Sequence, residues 1–209
     1  MINNGQHKYT LVLFTNNPHK VHEIKTMLNL DGIPVVAYRD VFKNAVEVIE
    51  DGDTFEENAI KKVNALPDRS EFIYLAEDSG IEVDHLDGAP GIYSARYAGE
   101  NATREDMCYK LLKECYGAGN RDAQYQAVMA LRFPDKRIET FTGIVRGSLA
   151  HEMLGDGGFG YDPIFIPEDY DITFAQMPED DKNLMSHRYH ALMQVKEFLF
   201  NENKYESQP

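Results

Sequence analysis

The apolar positions of the chain fall first in an unbroken run and then at helical spacing. Residues 9–15 (YTLVLFT) form a nearly continuous apolar run, which predicts a strand buried on both faces. In the next segment, helical spacing puts four apolar residues on one face: Val21, Ile24, Met27 and Leu28. Residues 33–37 predict a second strand. The order strand, loop, helix, strand is typical of a βαβ unit and indicates an α/β fold.

The middle of the chain predicts a capped helix followed by strand structure. Thr54 is a good helix N-cap with Glu57 at the third position, and this helix is expected to run to about Leu66. Residues 72–76 predict an apolar strand and residues 81–83 a short second strand, with a turn between them.

The second half of the chain predicts an antiparallel extension of the sheet. Residues 103–115 have the spacing of a helix, and residues 124–133 and 137–145 alternate as the strands of a hairpin do. Residues 164–166 predict one more short strand, and Ser186 is a suitable cap for the last helix. These elements together predict an α/β protein with a mixed sheet.

Composition and charge narrow the class of protein. The chain has 209 residues, enough for one large domain, and a net charge of -14. That charge disfavours nucleic acid as a partner, because binding to its backbone needs a basic surface. No apolar run approaches the roughly 20 residues that span a bilayer, and residues 1–8 lack the apolar centre of a secretion signal. We therefore expect a soluble cytoplasmic protein with no membrane contact, whose polar residues 201–209 form a disordered tail.

The loop after the first strand is the first candidate for ligand binding. Residues 15–20 (TNNPHK) connect a buried strand to the start of a helix, a favoured ligand position in α/β proteins. The N-terminus of that helix offers N–H groups to a phosphate, and Lys20 adds a positive charge. An ordinary turn explains the same residues equally well.

The acidic segment Glu77-Asp78-Ser79-Gly80 is the second candidate. It follows the apolar strand directly, and adjacent carboxylates repel each other unless a cation lies near them. Mg²⁺ prefers one or two carboxylates together with phosphate oxygens and water. Ser79 and Gly80 are expected to turn the chain, with their N–H groups facing a ligand. Taken alone, the segment is more often a simple acidic turn.

Two later segments add rings and basic groups. Residues 155–160 match G-x-G-x-x-G, but Pro163 prevents the helix that a dinucleotide site requires, so a loop close to a ligand is predicted instead. Residues 182–188 (KNLMSHR) concentrate basic groups in an acidic chain, and Arg188 can donate to a ring carbonyl or a phosphate. Surface pairing with the acidic residues 179–181 is the alternative interpretation of this segment.

In this order, the motifs resemble the inosine triphosphate pyrophosphatase family, also called the dITP/XTP pyrophosphatases. The resemblance runs from about Leu11 to Leu199. The matching stretches are TNNPHKVHE (15–23), TFEENA (54–59), AEDSGIEVD (76–84), GAPGIYSARYAG (88–99), GFGYDPIFIP (158–167) and the segment from Phe174 to Arg188.

The resemblance implies an elongated α/β protein whose residues 1–200 form a single two-lobed domain with a mixed sheet and a central substrate cleft. It also implies a homodimer that uses Mg²⁺ as cofactor. The implied reaction is hydrolysis of non-standard purine nucleoside triphosphates (ITP, dITP, XTP) to the monophosphate and pyrophosphate.

Residue roles follow from the same resemblance. Asp78 matches the carboxylate that binds the metal and acts as general base, and His187 and Arg188 are the candidates for reading the 6-oxo group of the purine. The implied substrate-binding residues are Thr15, Asn16, Asn17, Lys20, Ser79, Phe159, Gly160, Tyr161, Asp162, Lys182, His187 and Arg188.

The second metal-binding carboxylate departs from the family pattern. Counting back from Gly52, the usual position falls on Ile49, which cannot bind a metal. Glu50, one residue away, is the expected ligand, and Glu47 is the alternative. The first residue of the acidic motif also differs, since Glu77 stands where many bacterial members have Asp.

Other functions remain open on the sequence alone. A pyrophosphatase for pyrimidine or other modified nucleotides is one alternative, and a catalytically silent nucleotide sensor is another. Base preference in an activity panel separates the first from the expected enzyme, and pyrophosphate release separates the second.

Overall fold

The structure is a computed structural model that describes residues 9–206 except positions 16, 29, 31, 32 and 45. Asn16, which the sequence analysis assigned to substrate binding, lies outside the described residues. No helix in the described part of the chain is long and apolar enough to cross a membrane.

Most of the described strands and helices lie where the sequence predicts them, but the helix Tyr38–Val41 was not predicted and the strands predicted at residues 72–76 and 81–83 form one strand. The six strands are β1 (Thr10–Phe14), β2 (Val35–Ala37), β3 (Phe72–Val83), β4 (Asp122–Arg132), β5 (Ile138–Leu149) and β6 (Phe165–Pro167). The six α-helices are α1 (Pro18–Met27), α2 (Tyr38–Val41), α3 (Phe55–Asn64), α4 (Arg104–Glu114), α5 (Glu179–Met185) and α6 (His187–Glu206). Helix α6 includes residues 201–206, the first part of the segment for which the sequence predicts a tail, and residues 207–209 lie outside the described residues.

The strands that the structure describes form one mixed sheet in the order β2-β1-β3-β4-β5-β6. Strand β1 pairs in parallel with both β2 and β3, and β5 pairs antiparallel with β6. Strands β4 and β5 are hydrogen-bonded neighbours, joined by a turn in which the Phe133 N–H donates to the Arg137 carbonyl. The predicted α/β class and mixed sheet are therefore confirmed.

Two helix starts show why the sequence specifies these elements. The Thr54 side chain accepts a hydrogen bond from the Glu57 N–H at 3.1 Å, and Glu57 reaches back to the Asp53 N–H at 2.8 Å, so α3 begins at Phe55. The Ser186 hydroxyl oxygen accepts from the Tyr189 N–H at 3.1 Å and starts α6. Each cap satisfies N–H groups that have no partner inside the helix.

The chain divides into two compact units. Unit 1 comprises residues 1–78, 128–142 and 191–209, and unit 2 comprises residues 79–127 and 143–190. The core of unit 1 contains buried apolar residues of β1, α1 and α6, among them Leu11, Leu13, Ile24, Leu192 and Val195. The core of unit 2 contains Ile81, Leu111, Ile164, Phe165 and Phe174, together with the two buried cysteines, Cys108 and Cys115.

The acidic segment does not form the turn predicted by the sequence. Strand β3 is continuous from Phe72 to Val83, so Asp78, Ser79 and Gly80 lie inside a strand. Gly80 is required by close approach: a Cβ there would collide with the Ser94 hydroxyl and the Gly91 carbonyl oxygen. The Ser94 hydroxyl oxygen accepts a hydrogen bond from the Ile81 N–H at 2.9 Å. The glycine therefore admits a neighbouring segment, and the strand does not bend there.

Candidate active site

Asp78 is held by side chains from helix α3. Asn58 and Lys62 lie one turn apart on that helix, so both project from the same face. The Lys62 ammonium donates to Asp78 Oδ1 at 2.8 Å, and the Asn58 amide donates to Asp78 Oδ2 at 3.1 Å. Each carboxylate oxygen thus has its own donor, and the Asp78 side chain is only 9% exposed.

The orientation of Asn58 is fixed from its other end. Its Oδ1 accepts a hydrogen bond from the Gly52 N–H at 2.8 Å, and Asn58 itself is fully buried. Because the oxygen is engaged by a backbone donor, the amide NH₂ must face Asp78. A side chain at Gly52 would collide with Glu57 and with the Asn58 amide oxygen. The loop before α3 therefore sets the position of a donor to Asp78.

Burial raises the pKa of the Asp78 carboxyl above its ordinary value, because desolvation disfavours the charged form. The Lys62 ammonium opposes that shift through its charge and its hydrogen bond, as does the Asn58 amide, while the Glu50 charge adds to the shift. A carboxylate with a raised pKa is a stronger base than one in water, which suits proton abstraction near neutral pH.

Glu50 and Asp78 are the two expected metal ligands, and in this structure both contact the ammonium group of Lys62. Lys62 Nζ lies 2.9 Å from Glu50 Oε2 and 2.8 Å from Asp78 Oδ1, and it also donates to the Glu77 carbonyl oxygen at 3.1 Å. Glu47, the alternative ligand, is exposed. No group of three or more His, Cys, Asp or Glu side chains suited to a metal occurs within the residues described. Together, Asp78, Glu50, Lys62 and Asn58 are called the Asp78 cluster below.

The first loop and the first acidic residue are linked by an ion pair. Lys20 Nζ lies 3.1 Å from Glu77 Oε1, and the Glu77 side chain is almost completely buried. In the same loop, the Asn17 N–H donates to the Thr15 hydroxyl oxygen at 3.1 Å, and Asn17 Oδ1 accepts from the Lys20 N–H at 3.4 Å. The side chains of Thr15 and Asn17 thus shape the start of α1, and Lys20 brings its charge to the β3 carboxylates.

Asp162 organises the loop that contains two rings, Phe159 and Tyr161, and the glycines of the stretch GFGYDPIFIP (158–167). Its Oδ2 accepts from the Phe159 N–H at 2.8 Å and from the Lys182 ammonium at 2.7 Å. Gly158 has a positive φ of 67°, and a Cβ there would collide with this carboxylate. The loop can therefore close on Asp162 only with glycine at that position.

Two cations lie against the Phe159 ring. Lys182 Nζ is 4.5 Å and the Arg188 guanidinium carbon 5.4 Å from the ring centroid, within the range of cation–π attraction. Arg188 is 1% exposed and His187 6% exposed, so both are positioned before any ligand arrives. Phe159, Asp162, Lys182, His187 and Arg188 are called the Phe159 cluster below.

The other predicted substrate residues of this region are placed as follows. Tyr161 is buried and donates its hydroxyl to the Ser94 carbonyl at 2.8 Å, so its ring packs the core of unit 2. The Gly160 carbonyl accepts from the Cys108 thiol at 3.5 Å, and burial raises the pKa of that thiol to about 12. Ser79 is half-buried next to Asp78 in β3.

Asn58 and Lys62 are site residues for which the sequence predicted no role. Their signal was present, because a lysine and an asparagine one turn apart on the face that also carries Phe55, Ala59 and Val63 must be buried with partners. The sequence could not identify those partners, because Asp78 lies in β3, a separate element that follows α3 in the chain.

The fold and the two clusters define an α/β protein with one buried carboxylate held by an ammonium and one aromatic ring flanked by cations. The profile of the Ham1 family matches residues 11–198. The chain belongs to the Ham1 family.

Individual relatives agree with this assignment. A dITP/XTP pyrophosphatase from Clostridium tetani is 45% identical over 193 residues, covering 91% of this chain and 96% of that protein. One from Desulforamulus reducens is 44% identical over 191 residues, 90% of this chain and 94% of that protein. The solved structure of the Staphylococcus aureus Ham1 protein has a TM-score of 0.83 at 38% identity, covering 92% of this chain and 99% of that one.

Proposed function

We propose that this chain hydrolyses non-standard purine nucleoside triphosphates, ITP, dITP and XTP, to the nucleoside monophosphate and pyrophosphate. The observation that carries the proposal is Asp78, a buried carboxylate with a donor on each oxygen, in a chain that resembles dITP/XTP pyrophosphatases over nine-tenths of its length.

Asp78 acts as the general base in this proposal. It takes a proton from a water molecule whose oxygen attacks the α-phosphorus, and the bond from that phosphorus to the bridging oxygen of the β-phosphate breaks. Pyrophosphate leaves with the electron pair. Lys62 and Asn58 hold the carboxylate at fixed orientation, so that its lone pair faces the water without further rearrangement.

The donor set of the Asp78 cluster fits a hard divalent cation. Two carboxylates, Asp78 and Glu50, already share the Lys62 ammonium, so this location stabilises positive charge. Two carboxylates with phosphate oxygens and water form the coordination that Mg²⁺ prefers. When bound, Mg²⁺ would stabilise the negative charge that develops on the phosphate oxygens. We assign Asp78 and Glu50 as its protein ligands.

The proposed triphosphate contacts are Thr15, Asn16, Asn17, Lys20 and Ser79. Helix α1 begins at Pro18, so its first turn offers backbone N–H groups to an anion. Lys20 is 17% exposed in its side chain and pairs with Glu77, so a phosphate would share or replace that carboxylate as its partner.

The Phe159 cluster is the proposed base-recognition site, with Gly160 and Tyr161 forming the loop that carries it. The Phe159 ring offers a face for stacking, and Arg188 and His187 offer donors to the 6-oxo group of hypoxanthine or xanthine. Adenine has an amine at that position. Buried donors facing an amine are left without an acceptor, which is the strongest available way to reject ATP.

The test is pyrophosphate release from a panel of ITP, dITP, XTP, GTP, ATP and CTP, each with and without Mg²⁺. We expect turnover of ITP, dITP and XTP that depends on Mg²⁺ and exceeds turnover of ATP and CTP. GTP, which also has a 6-oxo group, tests whether the site rejects the 2-amino group of guanine. Preference for CTP would favour a pyrimidine enzyme, and ITP binding without pyrophosphate release would favour a sensor.

We also propose that the protein works in the cytoplasm as a homodimer, without nucleic acid or membrane as partner. The family resemblance supports the dimer, and the -14 charge supports the absence of nucleic-acid binding. Sedimentation of the full chain tests the first, and a nucleic-acid retardation assay tests the second.

A further inference from the structure

Tyr125 is a buried side chain on β4 that contacts two members of the Phe159 cluster. Tyr125 is 6% exposed, and it lies outside the sequence stretches that match the family. A tyrosine in a core needs a hydrogen-bond partner for its hydroxyl, and the partner of Tyr125 is Asp162, a member of the Phe159 cluster. This contact links Tyr125 to the proposed base-recognition site.

The ring of Tyr125 stacks on the imidazole of His187. The two ring centroids are 4.8 Å apart and the planes differ by 8°. A parallel contact of this kind fixes the plane of the imidazole, and with it the plane in which the ring nitrogens can donate or accept. His187 is the first residue of α6, where a helix terminus alone leaves a side chain more rotational freedom than a helix interior does.

The hydroxyl of Tyr125 donates to Asp162 Oδ1 at 3.4 Å, at the long end of the hydrogen-bond range. The other oxygen of the same carboxylate accepts from Lys182 and from the Phe159 N–H. Asp162 is 3% exposed, and a carboxylate so deeply buried needs donors on both oxygens. Through Asp162, the hydroxyl therefore supports the position of Lys182 and of the Phe159 ring.

Tyr125 is itself firmly held. Its ring packs edge-on against Phe165 at 4.8 Å and lies 6.2 Å from Phe174, nearly parallel to it. Burial raises the pKa of Tyr125 well above its ordinary value, so the hydroxyl keeps its proton and remains a donor. Tyr125 therefore offers a rigid neutral donor to Asp162 and a flat ring surface to His187.

We propose that Tyr125 is the positioning residue for base recognition: its ring sets the plane of His187 and its hydroxyl fixes the Asp162–Lys182 pair. This inference rests on the proposed function, because it assigns Tyr125 to the base site of that reaction. The residue touches neither substrate nor the reacting atoms in this proposal. It acts through the side chains that do.

Two substitutions separate the two contacts. Tyr125→Phe removes only the hydroxyl and keeps the ring that stacks on His187. Tyr125→Leu removes the ring as well and retains an apolar side chain in the core. The comparison assigns a loss of selectivity to the hydroxyl, to the ring, or to both.

The measurement is kcat and KM for ITP and for ATP in wild type and both variants, together with the melting temperature. For Tyr125→Phe we expect a rise of about twofold to fivefold in KM for ITP, since a long hydrogen bond to a carboxylate is lost. For Tyr125→Leu we expect the ITP-to-ATP preference in kcat/KM to fall by about twentyfold or more, because the base-reading groups are no longer aligned. In Tyr125→Phe, kcat for ITP should remain close to that of wild type.

Tyr74→Phe is the matched control. Tyr74 is also buried and donates its hydroxyl to the Pro67 carbonyl at 2.8 Å, but it belongs to neither cluster. This control is expected to lower the melting temperature and leave the ITP-to-ATP preference unchanged.

A merely structural role for Tyr125 predicts lower stability with an unchanged preference in both Tyr125 variants, and that result would overturn the inference. If Tyr125→Leu does not fold, an unchanged KM for ITP in Tyr125→Phe overturns the hydroxyl's role. If wild type itself shows no pyrophosphate release from ITP, the proposed function fails and this inference fails with it. Wild-type preference for ITP that survives in both variants overturns the role of Tyr125 alone.

Discussion

The Asp78 cluster and the Phe159 cluster both bury charged side chains, but they satisfy them differently. In the Asp78 cluster one ammonium, Lys62, contacts two carboxylates and a backbone carbonyl, and no ring takes part. In the Phe159 cluster one carboxylate, Asp162, accepts from an ammonium, a backbone N–H and a tyrosine hydroxyl, while rings flank the cations. The first is a site of excess negative charge around one cation. The second is a site of excess positive charge around one carboxylate.

This difference has a chemical consequence. Excess carboxylate around one position attracts a second cation and supplies a base, as phosphoryl-group hydrolysis requires. Buried donors beside an aromatic face recognise a flat ring with an acceptor on its edge. If each cluster has the role proposed for it, changes in the Asp78 cluster should slow ITP and ATP equally. Changes in the Phe159 cluster should alter the ratio between them.

Asp78→Asn is expected to have the largest effect. The amide cannot accept a proton from water, so kcat for every nucleotide should fall by about a thousandfold or more while ITP binding persists. Pyrophosphate release and ITP affinity measure the two properties, and circular dichroism checks the fold. Asp122→Asn, a substitution at an exposed strand position, is the control and should retain wild-type kcat. Near-normal turnover in Asp78→Asn would refute the assignment of the base.

Lys62→Met is expected to cost about a hundredfold in kcat, again for ITP and ATP alike, because Asp78 loses the donor on Oδ1. It should also destabilise the fold by about 3–5 kcal/mol, since a buried carboxylate is left without its ammonium.

Lys62→Met is also expected to change the dependence of kcat/KM on pH. Lys62 lowers the pKa of Asp78, so its removal leaves the pKa higher than in wild type. The carboxylate form then appears only at higher pH, and the acidic limb of the kcat/KM profile should move upward. A limb that stays in place, or moves downward, would show that Asp78 is not the group that titrates. Lys61→Met, whose side chain pairs with the exposed Asp51, is the control and should leave the profile unchanged.

Arg188→Lys is expected to lower the ITP-to-ATP preference by about tenfold and to leave kcat for ATP nearly unchanged. The charge is retained, but the fork of donors beside Phe159 is lost. The ratio of kcat/KM values for ITP and ATP is the measurement. Equal losses for both nucleotides would instead place Arg188 with the phosphate-binding residues and would break the division between the two clusters.

Glu50→Gln is expected to have the smallest effect. It should raise the Mg²⁺ concentration for half-maximal rate by about fivefold to tenfold at unchanged base preference, because one of two carboxylates at a cation is neutralised. Glu47→Gln, at the exposed alternative position, should leave the Mg²⁺ requirement as it is. The opposite result for the two variants would reassign the second ligand to Glu47.

Much of the fold could be predicted from local patterns. The unbroken apolar run of β1, the Thr54 cap and the Ser186 cap are determined by residues close together in the chain, and the structure confirms the elements that they mark. The loop at residues 155–160 also follows from a local rule, since Pro163 excludes a helix there.

The prediction of a turn at Ser79-Gly80 was wrong, and the reason is physical. Glycine after serine has the composition of a turn, yet Gly80 lies inside a strand because Ser94 and Gly91 approach it too closely for any side chain. The segment that requires the glycine lies further along the chain. Local composition cannot distinguish a glycine that permits a bend from a glycine that permits a contact.

The sequence by itself determined the α/β class and the family, because each depends on residue order and local pattern, and it singled out Asp78 as the proposed base. The tertiary structure alone decided which side chains contact the proposed site residues: Lys62 and Asn58 for Asp78, and Tyr125 for His187 and Asp162. These partners come from helices and strands far apart in the chain. Their positions depend on how the whole chain packs, and a buried charged group takes its properties from whatever that packing places beside it.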